Sequence, residues 1–340
     1  MPDLPEVIRD EEQLDEVMTR PWPSVVDFLR DIDGDILVLG AGGKIGPTLV
    51  RMLSRAVAAS GARRDVIPVV RRPPDTPVPG VRSITCDLMV PEAVAALPRA
   101  PNVFFLAGRK FGSTGNEPLT WATNVIVPYH VARIFTESRI VAFSTGGVYP
   151  IMDVETGGAT EQTPPEPLGE YSMSCLGRER MFDYFSRTAG ERVVHIRLNY
   201  AVEMRYGVLV DIATKVWRGE PLDVTTGWAN VIWQGDVANY AILALQMATS
   251  PAQPLNITGP GMISIRDTAE TFGRLLGRKP IITGKENGLA YVSSAGRSHS
   301  MFGMPQVPLE RVIQWTADWV RRGGRNLGKP THFEVQDGKY

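Results

Sequence analysis

The chain has 340 residues, 43% of them hydrophobic, enough to bury a large core as one big domain or as a two-lobed protein. Its 36 basic and 37 acidic side chains nearly cancel, which removes the charge argument for a nucleic-acid partner and leaves a small molecule as the expected ligand. Cys86 and Cys175 stand far apart and outside any CxxC spacing, and His130, His195, His299 and His332 form no HxxxH or HExxH pattern, so neither a disulfide framework nor a metal site is expected.

The chain opens with "MPDLPEVIRDEEQLDEVMTR", acidic where a signal peptide is basic and then apolar. No apolar run approaches the roughly 20 residues of a membrane helix, so a soluble, cytoplasmic protein is expected. Residues 1–32 read as a helical extension with two short amphipathic patterns around Pro21 and Pro23. From Asp35 the rhythm is that of alternating strands and helices: "DILVLG" is a short apolar run ending in glycine, and "GPTLVRMLSRAVAAS" follows with Leu49, Met52, Leu53 and Val57 at helical spacing. "DVIPVVRR", "VRSITCDL", "NVFFLAG", "RIVAFSTGG" and "ERVVHIRLN" are further strands, and "PEAVAALPRA" and "WATNVIVPYHVARIFTES" are helical or loop connections. Repeated β-α units predict an α/β fold, a Rossmann-like doubly wound parallel sheet, over residues 33–198.

After Asn199 the pattern changes. Residues 199–330 are expected to form a smaller α/β lobe, with some elements returning to the sheet, and Ser264 followed by Asp267 is close to a capping box at a helix start. The tail, 331–340, reads as an extended surface segment.

"LVLGAGGKIGPTL" sets Gly40, Gly43 and Gly46 in GxxGxxG spacing between a strand and a helix, with Lys44 and Ile45 inside the loop. Glycines there allow a sharp turn and close backbone approach to a pyrophosphate, while the helix N-terminus adds positive potential. The second strand runs into Arg71 and Arg72 where an NAD-preferring site usually offers a carboxylate. Two guanidiniums there favour the 2′-phosphate of NADP, the alternative being a solvated strand end.

With the glycine loop, "CDL", "LAGRKFG", "TNV", "FSTGGVY" and "EYSMSC" in this order, the chain resembles the extended short-chain dehydrogenase/reductase family, in its NAD-dependent epimerase/dehydratase branch of UDP-galactose 4-epimerase-like proteins, over about residues 35–285. The resemblance implies NAD(P)(H) as cofactor. It implies that Asp87, with Leu88, contacts the adenine, that Leu106, Ala107, Gly108 and Lys110 lie along the cofactor, and that Asn124 stands near the nicotinamide. It makes Tyr171 the acid/base and Thr145 the donor that positions the reacting oxygen, with Ser144 and Asn199 facing substrate, and it implies a homodimer through the helix bearing Tyr171.

Removing a hydride from a secondary alcohol also removes a proton from its oxygen, so such a site needs a base within hydrogen-bond reach and a second donor on that oxygen. The family's tyrosine is followed four residues later by a lysine, whose charge lowers the cost of the phenolate; here that position is Cys175. A phenol of ordinary pKa costs roughly 4 kcal/mol to ionise at neutral pH, and a neutral thiol offers no fixed charge to offset it. Three repairs are open: Lys110 supplies the charge, which is favoured; Arg178 does so from the same helical face, weakened by its position about 10 Å further along; or the enzyme runs only in the reductive direction. Cys175 itself reads as a small buried hydrophobe.

The stretch after Asn199 is short for clasping a nucleoside diphosphate, which points to a free sugar, sugar acid or lactone. Arg205, Tyr206, Lys215, Trp217, Arg218 and Trp228 are its candidate contacts, with Arg205 matched to a carboxylate. The reading is an NAD(P)-dependent oxidoreductase or epimerase; the competing one is a catalytically impaired dinucleotide-binding redox sensor.

Overall fold

A computed structural model of the chain describes residues 4–73, 77–329 and 331–338. In chain order the elements are α1 (Glu11–Met18), α2 (Pro23–Asp31), β1 (Ile36–Leu39), α3 (Gly46–Ser60), β2 (Val66–Val70), β3 (Ile84–Thr85), α4 (Pro91–Ala95), β4 (Asn102–Phe105) and α5 (Glu117–Trp121). A π-helical turn, Ala122–Ile126, joins α5 to α6 (Val127–Ile134), followed by β5 (Arg139–Thr145), β6 (Met152–Asp153), α7 (Gly169–Ala189), β7 (Arg192–Leu198), β8 (Ala201–Val202) and α8 (Val208–Arg218). The remainder comprises β9 (Pro221–Asp223), β10 (Trp228–Asn230), β11 (Ile232–Trp233), α9 (Gln234–Ala244), β12 (Gln253–Ile257), β13 (Met262–Ser264), α10 (Ile265–Leu276), β14 (Ile281–Thr283), β15 (Leu289–Ala290), α11 (Gly296–Phe302) and α12 (Leu309–Arg321).

The main sheet is parallel, in the order β12-β7-β5-β4-β1-β2-β3. Its central strands are buried on both faces, which is why "ILVL" and "NVFF" are unbroken apolar runs rather than alternating ones. The strand order reverses between β1 and β4, and there the carboxyl ends of the strands open a crevice. One face is covered by α2, α3 and α9, the other by α4, α6 and α7. Helix α9 is buried along its whole length, as its all-apolar "YAILA" requires. The doubly wound sheet agrees with expectation, and β12, from the second half of the chain, forms its edge. Ser264 also matches expectation, its hydroxyl accepting from the Asp267 N–H at 3.1 Å and starting α10.

Two terminal segments do more than the sequence suggested. The extension joins both halves: Trp22, Val25 and Leu29 pack into the core under α3 and α9, whereas Ile8, Leu14, Val17 and Met18 enter the core of the smaller lobe. The tail is not a loose surface segment, because Thr331 and Phe333 are buried, and Thr331 donates from its N–H and Oγ1 to the Asp211 carboxylate at 2.9 and 2.6 Å. It runs on until Gly338 packs against Gly169, at the start of α7: a Cβ on Gly169 would lie 2.1 Å from the Gly338 carbonyl oxygen. Among the described residues no helix is long and apolar enough to cross a membrane.

Candidate active site

The crevice holds a cleft of about 230 Å3 whose walls come from the glycine loop, the segment after β4, the end of β5, the face of α7 and the turn after β7, with Tyr206 after β8 and Tyr291 after β15. It brings together Gly43, Lys44, Ile45, Gly46, Leu106, Gly108, Lys110, Ser144, Thr145, Tyr171 and Asn199. Residues a hundred positions apart converge because the carboxyl ends of parallel strands all finish on this edge.

The glycine loop is forced by close approach. Gly40 has φ +81° and a Cβ there would lie 2.5 Å from the Ala107 nitrogen; one on Gly46 would lie 2.2 Å from the Ala41 carbonyl oxygen. Gly43 carries no such crowding against a side chain, and with Gly46 it leads into the open N-terminal turn of α3, a cradle that fits a pyrophosphate. Asp87 and Arg71 and Arg72 are exposed beyond the ends of β3 and β2, and Leu88 is buried beside Asp87.

Thr145 Oγ1 accepts from the Gly147 N–H at 3.1 Å, which leaves its own proton for an oxygen in the cleft. Ser144 also lines the cleft, but its hydroxyl donates to Glu179 Oε1 at 2.6 Å, so its hydrogen bond is directed into the protein rather than toward a substrate. Glu179 is ion-paired with Arg197 at 2.7 Å; burial works against its charge, yet Arg197, His195 and Ser144 hold its carboxyl below the usual range. This pair ties α7 to β7 and fixes the helix that carries Tyr171.

Cys175 lies directly beneath Tyr171, fully buried against Val148 and Tyr149. Burial pushes its thiol up, against the pull of Arg178, of a hydrogen bond with the Tyr171 hydroxyl and of Lys110, so it is a neutral thiol and not a nucleophile.

Arg178 is the residue that sequence reasoning undervalued. The axial rise from Tyr171 is correct, but a helical side chain points back toward the N-terminus, and arginine is long enough to return to the cleft wall. Its Nη1 donates to the Phe143 carbonyl at 2.6 Å and its Nη2 to Asn124 Oδ1 at 2.8 Å, both neutral acceptors. Gly108 makes room for it, since a Cβ there would sit 2.2 Å from Nη2. Asn124 is thereby buried behind the wall, accepting also from the Arg109 N–H at 2.8 Å and donating to Ser174 Oγ at 2.9 Å, so it holds Arg178 rather than facing the cleft.

Lys110 enters from the other side, with Nζ 6.0 Å from the centre of the Tyr171 ring. Burial brings its ammonium pKa down to about 8, against the pull of Cys175 and Asp211. Lys44 is pressed further, to about 7, by burial first, with Glu203 opposing and Lys110, Arg205 and Lys329 adding to the fall.

Arg205 does not reach the cleft. It is held by Glu203, by Glu11 at 2.8 Å and by Asp15 at 3.1 Å, so its charge fastens the extension to the smaller lobe. Of the other five candidates after Asn199, Tyr206 lines the cleft; Lys215 pairs with Glu334, Arg218 with Glu220, Trp217 lies under Arg278, and Trp228 belongs to β10. Phe111 was missed, although it stands next to Lys110 in "GRKFG" and an aromatic beside a cleft lysine is a visible signal.

No curated protein matches the chain in the comparison made. Among solved structures it is similar to DesIV, a dTDP-glucose 4,6-dehydratase from Streptomyces venezuelae with NAD and TYD bound, at 21% identity and TM-score 0.72, covering 85% of this chain and 97% of that one. It is similar to a Thermus thermophilus UDP-glucose 4-epimerase in complex with NAD, at 21% identity and TM-score 0.68 over 84% and 99%. MoeE5 in complex with UDP-glucose and NAD follows, at 24% identity and TM-score 0.67 over 85% and 99%. These likenesses carry the fold, and the pattern of the NAD dependent epimerase/dehydratase family matches residues 36–257, which is more than half of the chain. The chain belongs to the NAD dependent epimerase/dehydratase family.

Proposed function

We propose that the protein is an NAD(P)-dependent oxidoreductase or epimerase acting on a secondary alcohol or ketone of a sugar, sugar acid or lactone, with Tyr171 as the acid/base. The observation that carries the reading is the convergence of Tyr171, Thr145 and Asn199 on one cleft with the glycine loop, between two cationic side chains, Lys110 and Arg178. The dinucleotide, when bound, supplies the acceptor or donor of hydride. Gly43, Gly46 and the first turn of α3 hold its pyrophosphate; Leu106 and Gly108 line its path, and Arg71 and Arg72 support a preference for NADP.

This chain's own residues manage the proton. In the oxidative direction the Tyr171 phenolate takes the proton of the reacting hydroxyl and Thr145 Oγ1 donates to the same oxygen; in the reductive direction Tyr171 returns it. The family lysine's charge is supplied by Lys110 and by the guanidinium of Arg178. A sensor reading draws on the loss of the lysine alone, and these two cations argue against it. Exposed Trp121, Ile126 and Tyr129 before and on α6, with Met173 and Tyr184 on α7, support the proposed homodimer.

The test is a fluorescence titration with NADH and NADPH, followed by absorbance assays with sugars, sugar acids and lactones for wild type and Tyr171→Phe. Turnover that collapses in Tyr171→Phe with cofactor affinity unchanged supports the reading. Cofactor binding without turnover of any polyol, and no effect of Tyr171→Phe, replaces it by the sensor.

A further inference from the structure

At the mouth of the cleft Phe111 and Tyr206 meet edge to face, ring centres 6.0 Å apart, and three lysines from three distant parts of the chain gather on them. Lys44, from the glycine loop, holds its Nζ 4.0 Å from the centre of the Tyr206 ring and donates to the Ala201 carbonyl at 2.8 Å. Lys110, from the segment after β4, has its Nζ 6.0 Å from the Phe111 centre, and Lys329, from the segment after α12, 5.4 Å from the same centre.

Lys329 is exposed, yet the backbone carrying it is fixed on both sides. Leu327 donates its N–H to the Arg205 carbonyl at 2.9 Å, and Thr331 is bound to Asp211. The carboxylates facing the cluster are Glu203 and Asp211. Glu203 already serves Arg205 at 3.1 Å, and burial, with Glu334, raises the Asp211 carboxyl against the pull of Thr331 and Lys215, which reduces its value as a counter-charge. Burial and neighbouring cations bring Lys44 down to about 7 and burial brings Lys110 down to about 8, so an anion lying among these ammonium groups would restore their charge and relieve their crowding.

We infer that the Phe111–Tyr206 pair and Lys44, Lys110 and Lys329 form an anion subsite, which takes a carboxylate or phosphate monoester borne by the substrate itself while its reacting carbon lies at Tyr171. The rings pack against the apolar face of a sugar-sized molecule, and the ammonium groups receive its anionic oxygens. Lys110 faces both this subsite and Tyr171, which sets the anionic group close to the reacting centre. The segment after α12 completes the subsite with Lys329. The inference rests on the oxidoreductase or epimerase reading of the cleft and adds the charge of the substrate to it.

The experiment uses the full chain saturated with NADH, so that the dinucleotide's own phosphates are already satisfied, and measures calorimetric affinity for D-glucose, D-glucuronate, D-glucose 6-phosphate and UDP-glucose. Glucuronate or glucose 6-phosphate is expected to bind at least about tenfold more tightly than glucose, with the advantage shrinking at high salt and falling about fivefold or more in Lys329→Gln, while NADH affinity stays within about twofold of wild type. Which of the two anions binds more tightly distinguishes a carboxylate from a phosphate. Anions that bind no better than glucose overturn the inference. A loss of NADH affinity in Lys329→Gln as large as the loss for the anions also overturns it, by giving the charge to the cofactor, and so does UDP-glucose binding far more tightly than both small anions. Failure of wild type to bind either NADH or NADPH is a different result, since it removes the reading of the cleft on which the inference rests; a chain that binds NADPH alone is assayed saturated with NADPH.

Discussion

Replacing Lys110 by Met removes a cation whose Nζ stands 6.0 Å from the centre of the Tyr171 ring. Two unit charges at that separation interact by about 2.8 kcal/mol at an effective dielectric constant of roughly 20, so the phenolate of Tyr171 loses support equivalent to about a hundredfold in rate. The effect carries a pH signature, because burial brings Lys110 down to about 8. Below that value the ammonium is protonated and supports the phenolate; as pH rises through it the support is withdrawn. Alcohol oxidation by wild type should therefore decline above about pH 8, and Lys110→Arg, which keeps its charge, should hold the rate into more alkaline solution. The assay is single-turnover formation of reduced dinucleotide between about pH 6 and 9.5, with Tyr171→Phe as the floor. A Lys110→Met rate within about threefold of wild type, or an alkaline decline that persists unchanged in Lys110→Met and Lys110→Arg, refutes the assignment of this charge to Lys110.

Gly108→Ala places a Cβ 2.2 Å from Arg178 Nη2 and should reproduce much of the loss in turnover seen for Arg178→Gln, with the two together no worse than the poorer single variant; additive losses in the double mutant would show that the two residues act separately. Glu191 is wholly buried, with both carboxylate oxygens lacking a hydrogen-bond partner, and burial raises its pKa from 4.5 to about 9. The folded chain therefore keeps a proton that the unfolded chain releases, so stability falls as pH rises from 4.5 to about 9, and Glu191→Gln should gain about 3 kcal/mol over wild type at neutral pH and flatten that slope in denaturant titrations. Equal slopes for the two proteins would mean that Glu191 is charged in the fold.

The sheet was legible because its central strands are apolar on both faces and the glycine loop marks the first crossover. Residues fixed by their position at a strand end or in a turn were the easiest to place in sequence: Gly43, Gly46, Thr145 and Asn199 all line the one cleft. The site was illegible where a long side chain decides. Arg178 is remote in sequence register but returns along its helix, whereas Arg205, placed in the right lobe, is drawn off by Glu11 and Asp15 of the extension. Glu203 beside it is local, but the other two carboxylates that capture Arg205 precede it by about 190 residues, and nothing nearby announces those. Tail residues were misread for the same reason: "THFEV" is too short and mixed to signal burial, yet Phe333 completes a core built by α8, α10 and α12.

The change at position 175 is best understood together with two neighbours. In the proposed reading, a lysine at position 175 would share its surroundings with the Arg178 guanidinium and the Lys110 ammonium, both of which act on the Cys175 sulfur. A short side chain there leaves that volume to Arg178, and the glycine at 108 leaves the volume beyond it. The thiol contributes packing with Val148, Tyr149 and Leu176, so position 175 is part of this small core, and the proposed reading gives the charge to Arg178, three residues on. The cost of the exchange is geometric. A lysine ammonium can both charge the phenolate and donate to a ribose hydroxyl, whereas the two recorded donations of Arg178 go to Phe143 and Asn124. It follows that Cys175→Lys alone should not improve the enzyme, because a third cation would enter a space already holding Arg178 and Lys110. In the background of Arg178→Gln the same substitution has both the room and the missing charge, and it should restore turnover lost by the single variant. Restoration in that background, without benefit in wild type, would separate a transferred charge from an arginine that merely braces Asn124.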